Sequence, residues 1–286
     1  MSSAPPTSST LSNTHALPPR AWTPPLLIAL TVVLHLIVLA LLLAISQHWR
    51  VLLALLIGNH LLLCAAVLWP RGRWLGANLT RLPPVAAARG EIALTLDDGP
   101  DPEVTLQVLD LLDRHHAKVS FFCIAERARA HPELLREIVR RGHSVENHSD
   151  RHAHTFSFLG WRGTRREIAA AQDSLAQLAG QAPRFFRAPA GFRGPFVDPI
   201  LARLGLRYVS WTRRGYDSVR GDADAVLRRL TQQLAAGDIL LLHDGHPART
   251  TAGVPVVLEV LPQLLRLIEA RGLKLVSLPT AFAAEH

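Results

Sequence analysis

From about Glu91 onward, short apolar runs alternate with amphipathic segments, and this alternation limits the possible folds more than any other feature of the chain. We predict seven strands, at 92–96, 118–124, 143–147, 184–188, 206–211, 238–243 and 273–278. Segments with helical periodicity lie between them, at 103–116, 132–141, 163–179, 223–236 and 254–271. Such alternation is typical of a parallel sheet covered by helices. We expect an α/β fold, a distorted seven-stranded (β/α) barrel, with an open doubly wound sheet as the alternative.

The N-terminal part of the chain has a different character. Residues 1–22 are rich in Ser, Pro and Thr and carry a single charge, which predicts a disordered tail. Two apolar stretches follow, at 26–45 and 51–69, and each is about as long as a helix that crosses a bilayer. We predict two transmembrane helices that form a hairpin over 23–70, followed by a linker over 71–90. A cleaved signal peptide is the alternative for the first stretch, although no basic segment introduces it.

The arginines around the hairpin predict its orientation. Arg20 precedes it, Arg71, Arg73 and Arg81 follow it, and the turn holds only Arg50. The positive-inside rule therefore predicts that both ends face the cytoplasm, as in a multi-pass protein of a bacterial-type inner membrane. The difference is only a few charges, so the opposite side remains an alternative for the α/β domain.

Positive charge is spread over the chain rather than gathered in one block. The formal net charge is +8, and most cationic residues are arginines that occur singly or in pairs on predicted helices. No basic run is interleaved with aromatic residues, so we do not expect a nucleic-acid partner.

Two adjacent aspartates, Asp97 and Asp98, follow the first predicted strand in the sequence TLDDGP. If the strand continued, neighbouring side chains would point to opposite faces, and one carboxylate would enter the core at high cost. Gly99 and Pro100 are suited to ending the strand, so we expect both carboxylates on a turn at its carboxyl end. A nearby cation is then needed to neutralise them.

Further polar side chains follow the other predicted strands. They are His148 and His152 after the third, Arg187 at the end of the fourth, Trp211 at the end of the fifth with Asp217 shortly after it, and His243 and Asp244 at the end of the sixth. In a (β/α) barrel the carboxyl ends of the strands carry the active site. We therefore expect these residues at one rim of the domain.

The rim residues contain the donor set of a metal site. In HSDRH, His148 and His152 are four residues apart, which on a helical turn would place both imidazoles on one side. Two histidines and one aspartate leave coordination positions open, so they can bind Zn²⁺ together with a water. The second aspartate would remain ionised as a base. A non-haem iron oxygenase site uses the same donor types and is an alternative, although an aspartate pair is not expected there.

The motifs TLDDGP, HSDRH, RAPAG and LLLHD resemble those of the polysaccharide deacetylase, or NodB-homology, domain of carbohydrate esterase family 4. The resemblance covers roughly residues 90–280, within a domain that we place at 91–286. Leu96 stands where the family motif T-F-D-D-G-P has Phe. The family motif D-x-x-D-W is not matched cleanly, because Trp211 and Asp217 in SWTRRGYDS differ from it in order and spacing.

The resemblance implies roles for seven of the rim residues. Asp97 would be the general base, Asp98, His148 and His152 the metal ligands, Arg187 the residue that orients Asp97, and His243 the general acid. Asp217 would tune His243. The cofactor would be a divalent metal ion, with Zn²⁺ as the default and Co²⁺ or Ni²⁺ also compatible.

The implied activity is hydrolysis of an N-acyl group, in the first place N-acetyl, from an amino sugar in a glycan. An alternative is a deformylase or deacetylase of a lipid-linked sugar precursor, which the predicted membrane hairpin favours. A non-catalytic carbohydrate-binding module is a further alternative. The presence of both Asp97 and His243 argues against it.

Overall fold

The computed structural model describes residues 18–44 and 46–283. Its strands are β1 Glu91–Asp97, β2 Ser120–Cys123, β3 Ser144–Asn147, β4 Phe185–Phe186, β5 Arg207–Tyr208, β6 Arg213–Arg214, β7 Ile239–His243 and β8 Lys274–Leu275. All the strand pairings are parallel. Seven strands follow the order β5-β4-β3-β2-β1-β7-β6, and β8 pairs with the first residues of β1. The sheet is therefore a curled parallel half-barrel.

The predicted strand–helix alternation is confirmed, with one change in the strands. The seven predicted strands correspond to β1–β5, β7 and β8. The prediction missed β6, because its two residues are both arginines and carry no apolar signal. This omission matters for the site, since β6 lies beside β7 at the edge of the sheet.

Nine α-helices accompany the sheet within the described residues. They are α3 Pro84–Ala88, α4 Thr105–Arg114, α5 Ala125–Ala130, α6 Pro132–Arg140, α7 Trp161–Ala179, α8 Val197–Leu204, α9 Ala223–Thr231, α10 Val256–Ala270 and α11 Leu278–Ala281. The five predicted helical segments correspond to α4, α6, α7, α9 and α10. The others have only four to eight residues, too few to show a clear period.

The central strand β1 is buried along its whole length, and its two faces differ. Ile92, Leu94 and Leu96 belong to the larger core, which β1 shares with α4 and α10. Ala93 belongs to a second core, and Thr95 and Asp97 share its face of the strand because side chains alternate. The pleat thus directs Asp97 to the polar inner face, where it meets the site.

The two apolar N-terminal stretches form helices α1, Leu26–Ala44, and α2, Trp49–Val67, which are linked through a short 3₁₀ helix at Ser46–His48. By length and composition both could cross a bilayer. Most of their apolar side chains are exposed in the isolated chain. They contact each other through polar groups as well: Thr31 Oγ1 donates to Asn59 Oδ1 over 3.1 Å.

The segment before α1 contacts the α/β domain. Arg20 and Trp22 donate to the two oxygens of Asp198, over 3.3 and 2.9 Å. The Arg20 backbone N–H also donates to the Ala202 carbonyl. The predicted disordered tail spans 1–22; residues 1–17 lie outside the described residues, whereas 18–22 follow this path along α8.

The segment after α2, predicted as a linker over 71–90, also contacts the α/β domain. Leu79 forms a parallel bridge with Val209, next to β5, and Arg81 forms an antiparallel bridge with Asp238, next to β7. Residues 79–81 therefore span the gap between the two sides of the half-barrel. The apolar side chain of Leu82 then enters the second core.

Candidate active site

Asp97, the last residue of β1, is held by the guanidinium of Arg187. Arg187 Nη1 donates to Asp97 Oδ1 over 2.5 Å and to Thr95 Oγ1 over 2.9 Å. Its Nη2 donates to the Ser210 carbonyl, and its guanidinium carbon lies 4.1 Å from the centre of the Phe122 ring. Arg187 is fully buried, so its charge needs these partners. The direction of the Asp97 carboxylate is therefore fixed from the inner side of the sheet.

Asp98 lies just beyond β1, and its backbone leaves the strand conformation. Its φ of 71° is left-handed, so its side chain does not continue the strand alternation. Arg127 Nη1 donates to the Asp98 carbonyl over 2.7 Å and supports this turn from α5. The expectation that both aspartates leave the strand is wrong for Asp97, which still pairs with Phe122 and His243 in the sheet.

His148 and His152 lie in an irregular loop after β3 rather than on the predicted helical turn. Ser149 and His152 have positive φ values of 68° and 52°. The Asn147 carboxamide oxygen accepts from the Ser149 N–H, and Ser149 Oγ accepts from the His152 N–H, both over 3.0 Å. Such side-chain bonds compete with helix formation. The two imidazoles still meet, with ring centres 4.9 Å apart.

Asp98, His148 and His152 fit a divalent metal ion. One ligand atom from each lies within 4.8 Å of the others. The Nε2 atoms of His148 and His152 lie 3.1 and 3.2 Å from Asp98 Oδ1, a buried oxygen that accepts no hydrogen bond from the described residues. His148 Nδ1 donates to the Arg187 carbonyl over 2.8 Å, so Nε2 is the ring nitrogen that faces the carboxylate. This is the outer-shell arrangement of metal-binding histidines.

Burial and charge set the protonation states of these ligands. Burial opposes ionisation of Asp98, but its pairing with His148 outweighs burial and holds the Asp98 pKa well below its usual range. Burial, assisted by the charge of His148, lowers the pKa of His152 to about 4. His152 is therefore neutral near pH 7, which is the state that binds a metal ion.

His243 ends β7 and is paired with Asp217. Asp217 Oδ1 accepts from His243 Nδ1 over 2.9 Å, and Oδ2 accepts from the His243 backbone N–H over 2.7 Å. Both residues are buried. Burial lowers the pKa of His243, but the charge and hydrogen bond of Asp217 outweigh burial and raise it to about 9. His243 is thus a proton donor at neutral pH.

The predicted residues meet at one cleft of about 300 Å³. Asp97, Asp98, His148, His152 and His243 line it, while Arg187 and Asp217 lie behind Asp97 and His243. The lining also includes His154, Ala190, Gly191, Trp211, Arg214, Ser218, Val219 and Leu241. Sequence reasoning missed Arg214, because it lies on the unpredicted strand β6.

A set of contacts missed from sequence supports the aspartate turn. Thr105 Oγ1 donates to Asp244 Oδ2 over 2.7 Å. A Cβ built on Gly99 would lie 2.1 Å from the same oxygen, so only glycine fits there. Asp244 was recognised as a rim residue, but its contact with Gly99 depends on the pairing of β1 with β7, which the sequence does not display.

Comparison with known proteins gives one consistent family. The polysaccharide deacetylase family model matches residues 85–209. A chitooligosaccharide deacetylase of Sinorhizobium fredii is 32% identical over 207 residues, which are 70% of this chain and 96% of the relative. A peptidoglycan-N-acetylglucosamine deacetylase of Bacillus cereus is 29% identical over 194 residues, which are 68% of this chain and 69% of the relative.

Solved structures share the fold. A peptidoglycan N-acetylglucosamine deacetylase in complex with a benzamide compound has a TM-score of 0.65 at 26% identity, over 72% of this chain and 92% of that chain. A CE4 family pseudoenzyme from Bacillus anthracis has a TM-score of 0.63 at 21% identity, over 72% of this chain and 68% of that chain. The latter likeness shows the fold alone.

Proposed function

Because this chain belongs to the polysaccharide deacetylase family and is a hydrolase of amide carbon–nitrogen bonds, we propose that it removes N-acetyl groups from amino sugars of a glycan in a metal-dependent reaction. One observation carries the proposal: the cluster of Asp98, His148 and His152 lies in the same cleft as Asp97 and His243. A donor set for a metal, a carboxylate base and a histidine acid are the groups that amide hydrolysis needs.

Asp98, His148 and His152 would hold the divalent metal ion, for which we propose Zn²⁺ and regard Co²⁺ and Ni²⁺ as compatible. When bound, the ion would supply a Lewis acid for the N-acyl carbonyl and would lower the pKa of water. Asp97 would accept the proton of the attacking water as general base. Arg187 points that carboxylate into the cleft through its 2.5 Å hydrogen bond.

His243 would act as the general acid. Its Nδ1 is occupied by Asp217, so Nε2 is the nitrogen that can deliver a proton to the leaving amine. Protonation of the amine prevents its expulsion as an anion and completes cleavage of the carbon–nitrogen bond. The products would be a free amino sugar and a short carboxylate.

The pH profile tests the His243–Asp217 pair. Activity needs protonated His243, so kcat/KM should fall as the pH rises through the His243 pKa of about 9. In Asp217→Asn the charge that raises the His243 pKa is lost, while the burial that lowers this pKa remains. The fall in kcat/KM should therefore begin at least about one pH unit lower. Asp224→Asn, an exposed residue in the first turn of α9, should leave the profile unchanged. An identical alkaline limb in Asp217→Asn would refute the assigned role.

The relatives named for their activity act on chitooligosaccharide and on peptidoglycan N-acetylglucosamine, so we propose a glycan containing N-acetylglucosamine as substrate. The test is to incubate the full chain with N-acetylated chitooligosaccharides and with peptidoglycan fragments, and to detect new free amines. We expect free amines from at least one of the two. Their absence from both, with the metal site occupied, would refute this substrate class.

A lipid-linked sugar precursor is the second candidate, and the position of the α2 end favours it. A Cβ built on Gly191, which lines the cleft, would lie 3.0 Å from Pro70 Cβ, just after α2. Arg71 Nη1 donates to the Thr212 carbonyl over 3.1 Å. If α1 and α2 anchor the chain in a membrane, the cleft lies close to the bilayer surface, within reach of a lipid-linked sugar.

A reporter fused after residue 286 tests the anchor and its orientation. The arginines that flank the hairpin predict a cytoplasmic C-terminus, and therefore activity of a reporter that works only in the cytoplasm. Together with membrane sedimentation that resists salt, this result would favour the lipid-linked substrate. A reporter active only outside the membrane would contradict the orientation and favour an external glycan, and a chain found in the soluble fraction would contradict the anchor.

A further inference from the structure

The two adjacent arginines of β6 have opposite surroundings. Arg213 Nε donates to Asp238 Oδ2 over 2.6 Å, and its terminal nitrogens donate to the carbonyls of Gln232 and Gln233. Arg214, on the opposite face of the strand, lines the cleft. Among residues 18–44 and 46–283 no acceptor bonds to it, and its Nε is shielded from solvent without a partner. The cleft therefore contains a cation that no side chain in the described part of the chain neutralises.

Aromatic rings hold Arg214 in this position. Its guanidinium carbon lies 5.1 Å from the Trp211 ring centre and 5.0 Å from the Tyr216 ring centre. The guanidinium of Arg229 lies 5.2 Å from the same Tyr216 ring. Cation–π contacts orient a guanidinium but leave its N–H donors free. Arg214 is thus arranged in advance to donate to another group.

Arg214 also lies close to the proposed reaction centre. The Trp211 ring lies near both arginines, since the guanidinium of Arg187 lies 5.9 Å from the centre of the same ring. Burial lowers the pKa of Arg187, and the nearby charge of Arg214 lowers it further, although Asp97 opposes both. A ligand bound at Asp97 and the metal ligands would therefore extend toward Arg214 along the Trp211 side of the cleft.

We infer that Arg214 binds an anionic group, a phosphoryl or a carboxylate, that the glycan carries close to the N-acetylated sugar. This inference rests on the proposed function and narrows its substrate class to anionic amino-sugar glycans. A guanidinium can donate two parallel hydrogen bonds to either group, whereas an uncharged sugar would leave its charge unpaired. The free donors of Arg214 and its position in the cleft are the features that such a ligand satisfies.

Direct binding tests this inference without requiring turnover. The full chain in detergent is titrated with N-acetylglucosamine, N-acetylglucosamine 1-phosphate and N-acetylmuramic acid, as the wild type, Arg214→Gln and Arg220→Gln. Arg220 is exposed, lies six residues away and does not line the cleft, so it controls for the loss of one charge. We expect Arg214→Gln to weaken binding of an anionic ligand by about 10- to 100-fold relative to the uncharged sugar.

The control should change this ratio by less than about twofold, because an exposed charge contributes little. The favoured anionic ligand would identify the group as phosphoryl or carboxylate. Equal effects of the two substitutions, or equal wild-type affinity for charged and uncharged sugars, would overturn the inference. Acetate release is measured in parallel. Binding that depends on Arg214 without acetate release would support this inference and refute the proposed hydrolysis. Acetate release without binding that depends on Arg214 would support the proposed hydrolysis and refute this inference.

Discussion

Asp97→Asn should lower kcat by about 10²- to 10⁴-fold, the usual contribution of a general base, while the protein keeps its metal ion. The amide cannot accept a proton from water, but Asp97 is not one of the three clustered metal ligands. Its Oδ2 lies 3.8 Å from His148 Nε2, whereas the nearer Asp98 oxygen lies at 3.1 Å. Activity on an N-acetylated oligosaccharide and metal content are measured on the same sample.

Two controls make this result specific. Asp173→Asn makes the same chemical change at an exposed position on α7 and should behave as the wild type. Because Asp97→Asn removes the counter-ion of the buried Arg187, thermal unfolding shows whether the variant is still folded. A folded variant with nearly normal kcat, or one that loses the metal as the ligand variants do, would contradict the assignment of Asp97 as base.

His148→Ala should lose both the metal and the activity. It removes one of three clustered ligands, and even outer-shell changes reduce metal affinity by about 10- to 100-fold, so we expect a loss of more than about 100-fold here. The histidine is buried and its Nδ1 is fixed by the Arg187 carbonyl, so its Nε2 is held against the Asp98 carboxylate. Metal affinity is measured by competition with a chelator.

His154→Ala is the matched control for this prediction. His154 lines the same cleft but is not part of the ligand cluster, so its removal should leave metal affinity within about threefold. If both alanine variants lowered metal affinity equally, the ligand set would have to include His154. If neither did, the cluster would not be the metal site.

The sequence predicted which residues gather around the cleft better than it predicted which of them contact one another. A charged pair at the end of an apolar run requires a nearby cation, and the rim holds both Arg187 and the candidate metal ligands Asp98, His148 and His152. The sequence could not show that Asp97 stays in the strand. Asp97 is held there by Arg187, which follows β4 and reaches across the inner face of the sheet to Thr95 and Asp97. Contacts between residues 90 positions apart arise from the order of strands, which apolar periodicity does not encode.

Asp217 illustrates the same limit. Its motif departs from the family pattern in order and spacing, and β6, which precedes it, has no apolar signal. The short strand and the turn after it nevertheless bring both Asp217 oxygens to His243.

The HSDRH loop differs from the predicted helical turn for a local reason, since hydrogen bonds to the Asn147 and Ser149 side chains replace helical hydrogen bonds. Histidine spacing predicted the meeting of the imidazoles but not the backbone that produces it.

The most direct test of the account measures acetate released from N-acetylated chitooligosaccharides and from peptidoglycan fragments by the full chain as metal is restored. The protein is first stripped by a chelator and then titrated with Zn²⁺, and bound metal is counted in the same samples. The account predicts that the stripped protein is inactive and that activity rises in proportion to bound metal, up to one ion per chain, as expected for the cluster of Asp98, His148 and His152. Full acetate release by the stripped protein would contradict it, as would metal-loaded protein that releases none from either substrate.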